Sequence, residues 1–226
     1  MDFGKSFTYV FEDPNWIMKV LIGGIVLLIP IVNFAVYGYM LATLKNVADG
    51  QPNPLPEWSD FGAHFMKGLY AVIGIVVYML PAIIVICCAQ VLTVGVTAVA
   101  GSAGGRDAGG AAASLFGFLG LCLMCVAYLY IFVAGVTLYA PLTRFAMSAN
   151  QLSIFWDFRG NFAFIQRNLT NYIIALLIAL VASFVAGFGI ILCGVGILFT
   201  SFWGTMVAAN VFGQLWKNQA APPAMA

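Results

Sequence analysis

The chain of 226 residues is 63% hydrophobic and 8% charged, with a mean hydropathy of +1.01, against roughly 25% charged residues in soluble domains. That balance excludes a soluble globular domain, and a net charge of +1 without any Lys/Arg cluster excludes an electrostatic footprint for nucleic acid. Charges are missing between Lys67 and Arg106, between Asp107 and Arg144, and between Arg167 and Lys217, which fits helices crossing hydrocarbon.

Residues 1–15 alternate aromatic and charged side chains and are expected to lie at the membrane interface, with Asn15 capping a helix from Trp16. The first apolar run admits two readings. Trp16 to Ile29 gives about 21 Å of helix, too short for a core of about 30 Å, whereas Trp16 to Val47 gives about 48 Å, too long. Pro30 therefore either kinks one tilted span or turns a short hairpin. A single span divides Lys and Arg three against six across the membrane, a hairpin one against eight, and the hairpin agrees better with the collection of positive charge on the cytoplasmic side.

The proline-rich stretch 49–56 ends in a short interfacial helix, with Phe61, Phe65 and Leu69 on one face, feeding a second span over about 69–98 that kinks at Pro81. A flexible glycine-rich connection, 100–114, leads to a third span over about 115–140 ending at Pro141. A second polar and aromatic insert, with Arg144, Arg159 and Arg167 among its aromatics, forms another amphipathic arm. Spans over about 171–192 and 196–216 follow as an antiparallel pair, and a disordered tail over 218–226 closes the chain. The fold expected is an all-α polytopic bundle of five full spans with two interfacial arms.

The two inserts correspond. Phe155 to Phe162 lines up with Trp58 to Phe65, keeping Asp60/Asp157, Phe61/Phe158 and Phe65/Phe162, and Tyr39 and Tyr139 precede them. The pattern implies a parallel internal repeat, 16–99 and 115–193, joined by the connection 100–114 and followed by a terminal span, 194–217. Two small-residue ladders, Ala175, Ala179, Ser183, Gly187 and Ser201, Thr205, Ala209, Gly213, are expected to let helix backbones approach closely.

Catalytic signals are missing from the residues themselves. His64 is the only histidine, so neither a histidine metal pair nor a Ser-His arrangement exists, and a headgroup contact or a solvated pair with Asp60 is its expected role. Asp60 and Asp157 each precede an apolar helical run and are expected to be N-caps. The five cysteines lie in apolar runs, and Cys122-x-x-Cys125 lacks the companions of a metal or redox pair, so core packing is expected. No cofactor and no metal are expected. The absence of ionisable residues inside the spans disfavours coupled transport.

Phe11-Glu12-Asp13-Pro14-Asn15-Trp16, Gly23-Gly24, Ile29-Pro30-Ile31-Val32, Gly38-Tyr39, Leu55-Pro56-Glu57-Trp58-Ser59-Asp60-Phe61 with Gly68, and Phe212-Gly213-Gln214 together resemble the signature of domain-of-unknown-function family 4013, multi-span membrane proteins of bacteria and archaea. The resemblance implies the membrane architecture and carries no activity. The expectation is a non-catalytic inner-membrane protein, a scaffold or accessory subunit whose partners are the lipid bilayer and other membrane subunits or itself, with the inserts 48–68 and 141–170 in the cytoplasm. Its contact residues would be Trp58, Asp60, Phe61, His64, Phe65, Trp156, Asp157, Phe158, Arg159 and Phe162. The alternative is an uncoupled transporter or channel for a small neutral or lipid-like solute.

Overall fold

The computed structural model describes residues 1–95, 98, 106–191 and 194–220, and of residues 106–113 and 220 the backbone alone. Thr97, Cys193, residues 100–105 of the glycine-rich connection and the Pro222-Pro223 tail lie outside the described residues. The elements described are all helical. They form two compact units, Met1–Gly74 with Thr137–Ala226, and Ile75–Val136.

Among the described residues, four helical stretches are long and apolar enough to cross a membrane: Trp58–Gly95, Ser114–Met147, Leu169–Ile191 and Gly196–Gln219. The first apolar run is not a fifth full span. It divides into α2 (Trp16–Leu28) and α3 (Phe34–Ala48), each about 20 Å long. Pro30 removes a backbone donor, and Ile31 at φ 71° turns the chain through the left-handed region that a β-branched residue rarely enters. The result is the hairpin rather than the kinked span.

Unit one is built around α9 (Gly196–Ala220), whose span is 61% buried, against 28% for the span of α8 (Leu169–Gly187). Gly23 and Gly24 of α2 lie under the rings of Phe202 and Phe199, and Gly213 lies under the Leu44 carbonyl of α3. The α8 seam runs through Ala175, Ala179, Ala182 and Ala186, with Gly204 and the Thr200 hydroxyl, which donates to the Ala186 carbonyl at 2.6 Å, on the α9 side. Ser183 and Gly187 of the expected ladder are exposed instead. A strict four-residue stripe on a helix of 3.6 residues per turn rotates by about 40° at each step and leaves the interface, whereas steps of three and four hold it. On α9, Ala209 and Gly213 are buried and Ser201 and Thr205 half-buried.

Helix α1 (Phe3–Glu12) is capped by Asp2, whose carboxylate accepts the Lys5 N–H, and is lashed to α9. Tyr9 donates to the Met206 carbonyl at 2.8 Å, Trp203 to the Phe7 carbonyl at 3.3 Å, and Ser6 to Asn210 at 3.0 Å. Asn15 makes no side-chain cap on α2; its own N–H is taken by Asp13.

Helix α4 (Phe61–Gln90) runs unbroken from the first insert past Pro81, so the expected separate interfacial helix is its first turns. Its approach to α3 is set by two glycines. A Cβ on Gly38 would stand 1.7 Å from the His64 carbonyl oxygen, and one on Gly68 would stand 1.8 Å from that of Phe34. Lys67 then reaches the Ala146 carbonyl, at 3.2 Å, in the last turn of α6 (Tyr139–Met147), a group that the helix end leaves without an internal donor.

Unit two pairs the remainder of α4 with α5 (Arg106–Thr137). The helical start at Arg106 takes in much of the connection expected to be flexible, because Ala108 and Ala111 to Ala113 favour helix. Buried Ala82 and Ala89 on α4, and Ala127 and Ala134 on α5, recur every seven residues, Gly120 lies against Thr93, and Tyr130 donates to the Tyr78 carbonyl at 2.8 Å. The helices are therefore antiparallel along an alanine seam. Cys87, Cys88, Cys122 and Cys125 lie off that seam, free and exposed rather than in a core.

Replacing Gly38 or Gly68 by Ala drives a methyl into helix backbone that no rotamer change can clear, so each variant is expected to lose about 1–3 kcal/mol or more of stability. Gly135, with nothing within 4 Å of its Cβ position, gains helix propensity on the same change. Thermal unfolding of the detergent-solubilised variants checks this, and equal melting of Gly38→Ala and Gly135→Ala would remove the close approach from the account.

Candidate functional site

The two inserts occupy the most polar part of unit one. In the first, Pro52, Pro54 and Pro56 have no N–H, so the strand-like run 54–57 cannot form a backbone ladder and its carbonyls need donors from elsewhere. Four side chains supply them in turn. Asn46 Nδ2 donates to the Pro54 carbonyl at 2.9 Å, Lys19 Nζ to Leu55 at 3.2 Å, Tyr39 OH to Pro56 at 2.8 Å and His64 Nε2 to Glu57 at 3.0 Å. Because a carbonyl only accepts, Nε2 of His64 carries the proton.

Lys19 ties this latch to the N-terminal segment. Its ammonium also meets Asp13 Oδ2 and Glu57 Oε1, each at 2.7 Å, so its three donors are all used. Lys19 and Asp13 are buried, at 4% and 6% exposure, whereas the Glu57 side chain is 63% exposed. Above the lysine, the Trp58 indole donates to the Lys19 carbonyl at 3.0 Å and stacks on Tyr39 at 4.4 Å. Phe65 stacks on Phe34 at 6.3 Å, with Phe61 beside it at 6.5 Å.

The first insert thus faces inward. His64 is 6% exposed and pairs with a carbonyl rather than with Asp60, because Gly38 leaves room for α4 to carry it into the bundle. Asp60 is exposed, in a 3-10 turn Trp58–Asp60. Sequence reasoning missed Lys19, Asp13, Tyr39 and Asn46, and counted no ionisable group inside the apolar runs. The signal available was Lys19 itself, a lone cation in a greasy run with an acid six residues before it.

The second insert repeats this geometry locally. Helix α7 (Phe158–Arg167) starts 97 residues after α4, and a 3-10 turn, Leu152–Phe155, precedes it. Asn161, at the position of His64, is 4% exposed and donates to the Ile154 carbonyl at 2.9 Å, the counterpart of Glu57. Phe155, at the position of Trp58, packs on Phe145 at 5.4 Å. Asp157 caps α7 through the Gly160 N–H at 2.9 Å, and Arg144 bridges Asp157 at 2.7 Å and Asn161 at 2.6 Å. Hydrogen bonding to Arg144, with the Gly160 N–H beside it, holds the Asp157 carboxyl below its usual range. Outward, Trp156, Phe158 and Phe162 are 48%, 59% and 60% exposed, and Arg159 is exposed as well.

Among the described residues no group of three or more His, Cys, Asp or Glu could hold a metal ion. The family model described as a protein of unknown function, DUF4013, matches residues 22–195. The chain belongs to that family. No curated protein and no solved structure matches it. In this DUF4013 protein the matched segment contains the proline latch with Tyr39, Asn46 and His64, and the whole second insert, while Lys19 and α9 flank it.

Lys19→Met leaves Asp13 buried without its cation and is expected to cost about 3–5 kcal/mol, with partial recovery in Lys19→Met/Asp13→Leu. Glu57→Gln, at the exposed arm of the lock, is expected to stay within about 1 kcal/mol. Denaturation midpoints of the three variants measure the difference, and equal losses for Lys19→Met and Glu57→Gln would contradict the buried lock.

Asp157 gives a pH prediction. A folded value below the unfolded one means its cap contributes fully above the ordinary carboxylate value of about 3.9 and fades as pH falls through the depressed value. The protection factor of the Gly160 amide, taken against its intrinsic exchange rate at each pH, is expected to fall on acidification below that range, and Asp157→Asn to flatten the dependence. An unchanged pH profile in the variant would assign it to another group.

Proposed function

We propose that this protein is a non-catalytic scaffold or accessory subunit of a larger membrane assembly, docking through its second insert on the cytoplasmic side of the inner membrane. The observation behind this reading is the asymmetry of two similarly built inserts. The first spends Trp58, Phe61, His64 and Phe65 on internal packing, whereas the second leaves Trp156, Phe158, Arg159 and Phe162 outward. Aromatic and Arg side chains grouped on a surface suit a protein interface. The shared register of α4 and α7, with His64 and Asn161 making the same reach-back bond, supports a duplicated unit. Eight of the nine Lys and Arg residues lie in unit one, on or beside the segments that adjoin the inserts, and the ninth is Arg106 at the start of α5. That bias supports a cytoplasmic placement of the inserts.

Extraction from native membranes in mild detergent tests the reading. Wild-type protein is expected to bring a membrane protein in fixed stoichiometry, and Trp156→Ser/Phe162→Ser to lose it while melting at the wild-type temperature. Recovery as a bare monomer or homo-oligomer, or retention of the partner by the variant, would overturn the docking reading, and a bare protein would turn attention to flux of a small neutral or lipid-like solute.

A further inference from the structure

Between α1, the loop 50–54 and the last turns of α9 lies a polar cavity of about 400 Å³, within the range of small-molecule sites. Its lining carries charges of both signs. Among the described residues, Lys5 and Lys217 offer ammonium groups that pair with no carboxylate, Glu12 has no cation, and the Asp2 carboxylate accepts only the Lys5 N–H. Asp13, the remaining acid of the lining, belongs to the Lys19 lock. Opposite charges that line one cavity without pairing are arranged for a ligand that bears both.

The interior wall is better defined than the rim. Asn210, 4% exposed, takes hydrogen bonds on Oδ1 from Ser6 at 3.0 Å and from Gln214 at 2.6 Å. That fixes the amide, and Nδ2, bonded to nothing among the described residues, is the donor left for the cavity. Gln214 is held in turn by Asp2, donating to its carbonyl at 3.1 Å and accepting its N–H at 2.7 Å. A neutral donor beside two ammonium groups suits an anion with several acceptor oxygens, and the two carboxylates suit a primary ammonium. The cavity takes Asn210, Gln214, Lys217 and Asn218 from the last turns of an apolar helix whose closing turns carry Trp216 and Lys217, residue types that favour the headgroup level of a bilayer.

We propose that this cavity binds phosphoethanolamine chemistry, either as the headgroup of phosphatidylethanolamine or as the free zwitterion. Lys5, Lys217 and Asn210 hold the phosphate, and Asp2 and Glu12 hold the ammonium. This inference is independent of the docking surface, which involves the second insert.

The test is thermal unfolding and native mass spectrometry of the purified full chain in detergent. Short-chain phosphatidylethanolamine, short-chain phosphatidylcholine, phosphoethanolamine and inorganic phosphate are titrated separately. Phosphatidylethanolamine or phosphoethanolamine is expected to raise the melting temperature and bind one to one. Phosphatidylcholine, whose quaternary ammonium donates no hydrogen bond to a carboxylate, is expected to bind at least tenfold more weakly. Lys217→Met and Glu12→Gln, both at exposed side chains, are each expected to weaken binding at least tenfold while leaving the ligand-free melting temperature unchanged. Binding of the lipid alone identifies a headgroup site, and equal binding of phosphoethanolamine identifies the soluble zwitterion. Inorganic phosphate binding as well as phosphoethanolamine, equal binding of phosphatidylcholine, variants that bind like wild type, or no binding of either ethanolamine ligand would each overturn the proposal.

Discussion

One buried ammonium sets the arrangement of the first sixty residues. Lys19 sits in a run of apolar residues where an unpaired charge would be prohibitive, and it is tolerated because Asp13, Glu57 and the Leu55 carbonyl use its three donors. Those acceptors come from two separate segments: Asp13 at the end of α1, and Leu55 and Glu57 in the loop between α3 and Trp58. Satisfying the charge therefore fixes where the N-terminal helix stops, how deep α2 enters, and where the proline loop crosses. A hydrophobic contact could not impose the same register, since apolar packing accepts any partner of similar volume whereas a triply bonded ammonium accepts few alternatives.

The loop above it depends on the same logic. A run with three prolines offers acceptors and few donors, and the buried carbonyls among them need partners from the bundle. The bundle meets the shortage with one side chain per carbonyl, from α2, α3 and α4. Those donors reach the loop only because α3 and α4 touch backbone to backbone at Gly38 and Gly68, which draws His64 to within hydrogen-bonding distance of Glu57. Local geometry and tertiary contact are in that sense one constraint.

How much of this is legible in the sequence divides by the kind of information required. Helix positions and the membrane class follow from charge-free runs, and Pro30 in the middle of a run of the wrong length is sufficient to keep the hairpin in view. The Asp157 cap is readable because capping is a local, three-residue relation. The role of His64 is not, because its partner is a backbone carbonyl, a group every residue has and no sequence pattern marks. The seam of α8 is half readable: Ala175 and Ala179 are on it, but a four-residue period drifts off a helix face by the third step. Lys19 is visible but easily undervalued, since a count of charges per loop assigns it to the membrane edge and says nothing of its partners.

The two inserts meet different fates because the helices after them differ in length. After the first, α4 continues for thirty residues, so the residues that open it are drawn against α3 by the Gly38 and Gly68 contact, and Phe61 and Phe65 face Phe34. After the second, α7 stops at ten residues. Asn168 leaves helical geometry at φ −127°, its side chain folds back onto the Phe164 carbonyl at 2.9 Å, and α8 begins as a new helix. The arm is held at its base by Asn161 and by Phe164 on Trp216, while Phe158 and Phe162 stay more than half exposed. An equivalent start with an early break therefore converts a packing face into an exposed one, and a single interruption at Asn168 is sufficient to separate a sealed insert from an open one.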